Sequence, residues 1–131
     1  MSKIPEKLKY SREHEWVKIA PEGDLVVIGI TDHAQEKLGE IVYLELPAKG
    51  ERIDKEEAFG VVESTKAVSD IYAPVSGEIV EVNTGLVTTP ERINKDPYED
   101  GWLVKVKVGD KKDLDGLFNE KEYADFLKEE G

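Results

Sequence analysis

The chain has 131 residues, of which 39% are hydrophobic and 36% charged, with a formal net charge of −11 and no cysteine. That length suits one domain with a real core, and the missing cysteine excludes disulfides, thiolate metal sites and a thiol nucleophile. Interspersed acids repel phosphate backbones, so no nucleic-acid partner is expected; no apolar run approaches the ~20 residues that cross a bilayer, so no membrane partner is expected either.

The first residues, "MSKIPEKLKYSREHEW", have no apolar h-region and carry Glu6, Glu13 and Glu15. They read as neither a secretory signal nor an Arg-rich transit peptide, and the expected location is cytoplasmic. "EWVKIA" and "LVVIGI" follow, separated by Pro21-Glu22-Gly23-Asp24, and predict a hairpin. "TDHAQEKLG" predicts a short helix with Thr31 or Asp32 as N-cap, Gln35 three residues after Asp32 and Gly39 as its stop. "EIVYLEL" alternates as a strand and halts at Pro47. "EAFGVVES" and "KAVSDIYA" predict two strands flanking a tip at Thr65-Lys66. "GEIVEVN" and "WLVKVKV" complete the strands, with a helical piece between them in "TTPERINKDP", where Pro90 suits a first helical position. The end, "NEKEYADFLKEEG", predicts a helix capped by Asn119 and Glu122, with Tyr123, Phe126 and Leu127 on the face towards the β body. Abundant Glu and Lys beside a single Gln and a single Met lean towards a thermophile's composition.

Short strands and frequent turns predict a mostly β fold, a flattened barrel or two-sheet sandwich with short helices and a C-terminal helix. A single domain is expected over 1–131, with the β body at about 15–108 and the helix at about 119–129. The chain also repeats itself. "GEIVYLEL" from Gly39 and "GEIVEVN" from Gly77 are each followed by a second strand, "FGVVES" and "GWLVKV", which predicts two similar β units. Lys66 falls on the connection between them.

A lone lysine at such a tip is a poor nucleophile, because its ammonium is stable near pKa 10.4 and Glu63 and Asp70 stand close in sequence. Catalysis by the free amine is therefore not expected. Two readings of the residues remain: an ordinary solvated turn lysine, or an attachment point that a modifying enzyme can approach from several sides. His14 and His33 lack the HxxxH or HxH spacing of a metal site, so no metal is expected. Tyr98 and Trp102 are expected to pack.

The stretch "VVESTKAVSDIYAPVSGEIVEVN" resembles the lipoyl-lysine region of the glycine cleavage system H-protein family. So do "HEWVKI", "GITDHAQEKLGEIVYLELPAKG", "NKDPYEDGWLVKVKV" and "EYADFL", in order and at that family's spacings. The resemblance implies the lipoyl/biotinyl hybrid-barrel fold, with lipoate bound through an amide to Lys66. It also implies a non-catalytic carrier that takes the aminomethyl group of glycine from a pyridoxal-phosphate glycine decarboxylase (P protein) to a tetrahydrofolate-dependent aminomethyltransferase (T protein). Dihydrolipoamide dehydrogenase (L protein) then reoxidises the arm, and a lipoate-attaching enzyme loads it. Glu63, Ser64, Thr65, Ala67 and Asp70 are the expected recognition residues of the hairpin. A cleft for the loaded arm is expected at Glu15, with His33 and Asp70 as helpers. Glu13 departs from the family, which often has a small hydroxyl residue there. Biotin carriers flank their lysine with methionines, whereas Thr65 and Ala67 stand here. Lipoyl domains of 2-oxoacid dehydrogenases are smaller and tend to have an acid before the lysine. A lipoyl carrier or donor for other enzymes, and an unmodified structural relative, are the alternatives.

Overall fold

The computed structural model describes residues 3–21 and 23–130. Glu22, in the expected first turn, and Met1 lie outside the described residues. Among the described residues, nine strands run at Lys9–Tyr10 (β1), Glu15–Ile19 (β2), Leu25–Ile30 (β3), Ile41–Glu45 (β4), Arg52–Ile53 (β5), Ala58–Ser64 (β6), Val68–Tyr72 (β7), Gly77–Val82 (β8) and Val104–Val108 (β9). Helices occupy Asp32–Leu38 (α1), Thr84–Thr88 (α2), Arg92–Lys95 (α3), Lys112–Asp115 (α4) and Glu120–Glu130 (α5).

The strands form two antiparallel sheets, a six-stranded one in the order β1-β2-β3-β9-β8-β5 and a three-stranded one in the order β4-β6-β7. The chain passes between sheets after β3, β4, β5 and β7. The alternation read from the sequence turns one face of each sheet inward. Val17, Val26, Ile28, Ile41, Leu44, Val62, Ile71, Ile79, Val104 and Val106 fill the space between and are buried.

The internal repeat is visible in the pairing. β4 lies antiparallel to β6, and β8 to β9. The first register shifts between Ile41 and Tyr43, the second between Ile79 and Glu81. Aligning Gly39-Glu40-Ile41-Val42 with Gly77-Glu78-Ile79-Val80 puts both irregularities at the same place, after the shared Ile. An extra residue bends a strand at such a point, so both units carry the same bend.

A second core holds α5. Tyr10, Trp16 and Tyr123 are buried together, with Tyr98, Trp102, Phe118, Phe126 and Leu127 packed around them. The Tyr10 and Tyr123 rings stack at 4.6 Å. Trp16 Nε1 donates to the Pro97 carbonyl (2.9 Å), and its ring lies over Gly29, where a Cβ would come within 2.5 Å. Only glycine admits that approach. The capping box of α5 closes both ways: Asn119 N donates to Glu122 Oε1 (2.9 Å) and Glu122 N to Asn119 Oδ1 (2.8 Å).

Several elements differ from the expectation. The segment around Pro90 is two helices, with α2 beginning at Thr84 and α3 only after Pro90. The helical piece begins six residues early because Asn83 breaks the strand and Leu86 turns into the core. β1 and α4 carry too few residues to show a period. β1 is held by pairing with β2 and by a bridge from Tyr10 to Phe118.

Candidate functional site

The hairpin tip is organised by Ser64. Its backbone N–H donates to the Ala67 carbonyl (2.8 Å), while its buried hydroxyl oxygen accepts from Ala67 N (3.1 Å) and Lys66 N (3.3 Å). A side-chain oxygen that takes up the amides of a turn replaces the ladder that ends there. Thr65 N donates to the Glu40 carbonyl (3.0 Å), pinning the tip to the start of β4. Thr65, Lys66, Ala67 and Val68 are all exposed. The Lys66 stem crosses Gly39: a Cβ at Gly39 would lie 3.2 Å from Lys66 Cε. Gly39 has φ +85° and caps α1, its N–H donating to the Gln35 carbonyl.

Glu63 and Asp70 do not hold the ammonium. Among the described residues neither forms an ion pair with Lys66. Glu63 stands across from Val68 and Asp70 across from Val61, further down the ladder. The amine at the tip is left to solvent and to approach by another protein. Small flanking side chains and a rigid two-strand support suit covalent attachment of a long acyl arm at this lysine.

Beside the tip lies a groove of about 240 Å³ walled by Glu13, His14, His33, Ala34, Lys37, Leu38, Ser69 and Glu130. Residues from β2's approach, α1, β7 and the end of α5 meet there. His33 is therefore a wall residue of this groove. Asp70 is not: successive strand residues face opposite sides, so with Ser69 in the groove Asp70 lines a separate depression with Glu45 and Phe59.

Glu15 does not open onto the groove either. It is only 2% exposed. Ser11 Oγ lies 2.5 Å from its Oε1, and Tyr72 N donates to Oε2 (3.4 Å). Burial pushes its carboxyl up to about 8, against the lowering by those hydrogen bonds. At neutral pH it is predominantly neutral. The acid at the groove wall near it in sequence is Glu13, which lies in the turn before β2 and is exposed.

His14 has φ +71°, an uncommon conformation for a residue other than glycine. Its N–H donates to the Ser11 carbonyl (3.2 Å), closing a turn that aims the ring into the groove. Its Nδ1 lies 2.8 Å from the Tyr123 hydroxyl, which lies 2.8 Å from Thr31 Oγ1. Its Nε2 lies 3.1 Å from Glu130 Oε1. Burial lowers the His14 pKa, with Glu130 pulling the other way. Chain spacing did not foresee this meeting, because the groups come from three elements. Glu130 was within reach of a simple argument: it lies seven residues after Tyr123, so the stripe through Phe126 and Leu127 continues onto it.

The family model described as Glycine cleavage H-protein matches residues 8–130. A glycine cleavage system H protein of Carboxydothermus hydrogenoformans is 51% identical over 131 residues, covering 100% of this chain and 99% of its own. A mitochondrial glycine cleavage system H protein of Flaveria trinervia is 56% identical over 124 residues, 95% of this chain and 74% of that one. Among solved structures, the crystal structure of a glycine cleavage system H protein from Mycobacterium marinum superposes with a TM-score of 0.87 at 44% identity, covering 95% of this chain and 99% of that chain.

Proposed function

The chain belongs to the glycine cleavage H-protein family, and from that premise we propose that it works as one domain, as the carrier of the glycine cleavage system, with lipoate in amide linkage to Lys66. The observation that carries this is the exposed Lys66 at a Ser64-closed tip, inside a likeness that covers the whole chain. Bound there, lipoate supplies a disulfide that accepts a one-carbon amine and two electrons.

The chain's own residues present and shelter that arm. Ser64 and the Thr65–Glu40 contact fix the direction in which the lysine leaves the body. The stem lies over Gly39, at the end of α1. At ~1.5 Å per residue, His33 stands about 9 Å back along that helix, so an arm laid along α1 enters the groove. A cationic arm end meets Glu13 and Glu130 there, and we assign charge balance to these two acids rather than to Glu15, which is buried and predominantly neutral. Glu63, Ser64, Thr65, Ala67 and Asp70 offer the lipoate-attaching enzyme its surface. Glycine decarboxylase, aminomethyltransferase and dihydrolipoamide dehydrogenase are the proposed partners. In this reading the chain carries the group, and its partner enzymes perform the bond chemistry on glycine. No helix among the described residues is long and apolar enough to cross a membrane, and the bacterial relatives favour the cytoplasm.

The test is reconstitution. The lipoylated chain, a pyridoxal-phosphate glycine decarboxylase and carboxyl-labelled glycine should release labelled CO2 in proportion to the lipoylated chain supplied. The chain should gain the mass of the aminomethyl group. Release without that gain, or acyl loading by 2-oxoacid dehydrogenases in its place, would assign the arm to another pathway.

A further inference from the structure

The geometry points to a divalent metal site for Zn²⁺ or a similar borderline cation, formed by His14 Nε2, His33 Nε2 and a carboxylate oxygen of Glu130. One ligand atom from each of these residues lies within 4.8 Å of the others. Glu130 Oε1 is 3.1 Å from His14 Nε2 and 3.8 Å from His33 Nε2. Around a tetrahedral zinc with bonds of about 2.0–2.2 Å, ligand atoms stand roughly 3.3–3.6 Å apart. Two edges of the triangle, both to Glu130, are thus close to the required length, and a small rotation of His33 brings the two imidazoles to the third. Two imidazoles and a carboxylate are the donor set of open zinc sites, which keep a fourth position for an outside ligand. Here that position faces the groove.

The surroundings of His14 support ligation as well. A metal at Nε2 requires the proton on Nδ1, and a metal-bound imidazole is usually held by a partner at that second nitrogen. The Tyr123 hydroxyl stands there at 2.8 Å, free to accept from Nδ1 while donating its own hydrogen bond to Thr31 Oγ1 (2.8 Å). Tyr123 is itself locked by its stack on Tyr10. The left-handed turn at His14 gives the ring its aim, and strained residues of this kind concentrate at sites that use them. Lys37 on the groove wall opposes a cation, while Glu13 and Glu130 favour one. The proposal needs nothing from the carrier reading, since the chain without lipoate holds every ligand.

The experiment uses the full unlipoylated chain, which has no thiol, and Zn²⁺ alone. Calorimetric titration should show one saturable Zn²⁺ per chain. The imidazole proton resonances of His14 and His33 should shift together at that equivalence point. His33→Ala and Glu130→Gln, with unchanged circular dichroism, should each weaken binding by at least about 10–100-fold, the loss that follows removal of even an outer-shell partner. No saturable binding overturns the site. So does binding that both variants retain at full affinity, or a zinc-induced shift confined to one histidine.

Discussion

At the tip of the β6–β7 hairpin, the hydrogen bonds that shape the turn lie within residues 64–67, apart from the one to Glu40. The groove beside it takes its walls from the turn before β2, from α1, from β7 and from the last turn of α5. The tip depends on one residue for its chemistry and on its neighbours for its shape. The groove depends on how remote elements pack. Changes at the tip should therefore alter attachment and leave stability nearly untouched, whereas changes around the groove should be felt in folding first.

The sharpest expected contrast is Lys66→Arg. Guanidinium does not form the lipoyl amide, so attachment should be lost completely while the denaturation midpoint stays within about 0.5 kcal/mol of the parent, as for other exposed sites. A variant that still gains lipoate would remove the tip from the account.

Glu15, buried in the packed body beside neither the tip nor the groove opening, is the opposite case. Burial pushes its carboxyl up to about 8, above the ordinary 4.5 of an exposed glutamate. Between those values the folded state holds more protons than the unfolded one, so stability falls as pH rises through that window. The contribution is fully present below about pH 4.5 and is gone above about pH 8. At about 1.4 kcal/mol per pKa unit, the loss amounts to several kcal/mol at most. Glu15→Gln keeps the shape and cannot ionise, so urea unfolding of that variant should lack this pH dependence. Parallel curves for parent and variant from pH 4 to 9 would refute the buried carboxyl.

Gly39 joins the two regions, and its substitution should have an intermediate effect. At φ +85° and ψ −155° it occupies a region used almost only by glycine, so Gly39→Ala should cost about 1–3 kcal/mol. The midpoint should fall without a change in denaturant slope. The added methyl also presses on the Lys66 stem, so lipoylation should slow. An unchanged midpoint would show that the α1–β4 corner relaxes freely.

The smallest effect is expected from the double variant Glu63→Ala, Asp70→Ala. Neither acid pairs with Lys66, so stability should move by less than about 0.5 kcal/mol. Any change should appear in the rate at which the attaching enzyme uses the chain. An unchanged rate would mark both acids as solvated ladder residues.

What the sequence disclosed divides along the same line. The Thr31 cap, the Asn119–Glu122 box, the twin "GEIV" strands and the Lys66 tip are local patterns, and each is written in a few adjacent residues. The bulge shared by the two units, the two-sheet division and the stacking of Tyr10 on Tyr123 depend on pairings between distant strands and helices. Glu15 reads as a strand-face acid because alternation does not reveal which face meets Ser11 and Tyr72. His14 and His33 read as isolated because the helix at the far end of the chain delivers their partner.

Intact-mass measurement with peptide localisation tests the central claim most directly. After incubation with lipoate and its attaching enzyme, the chain should carry one lipoyl group, located on Lys66. An unchanged mass, or a lipoyl group on any other lysine, would contradict the account.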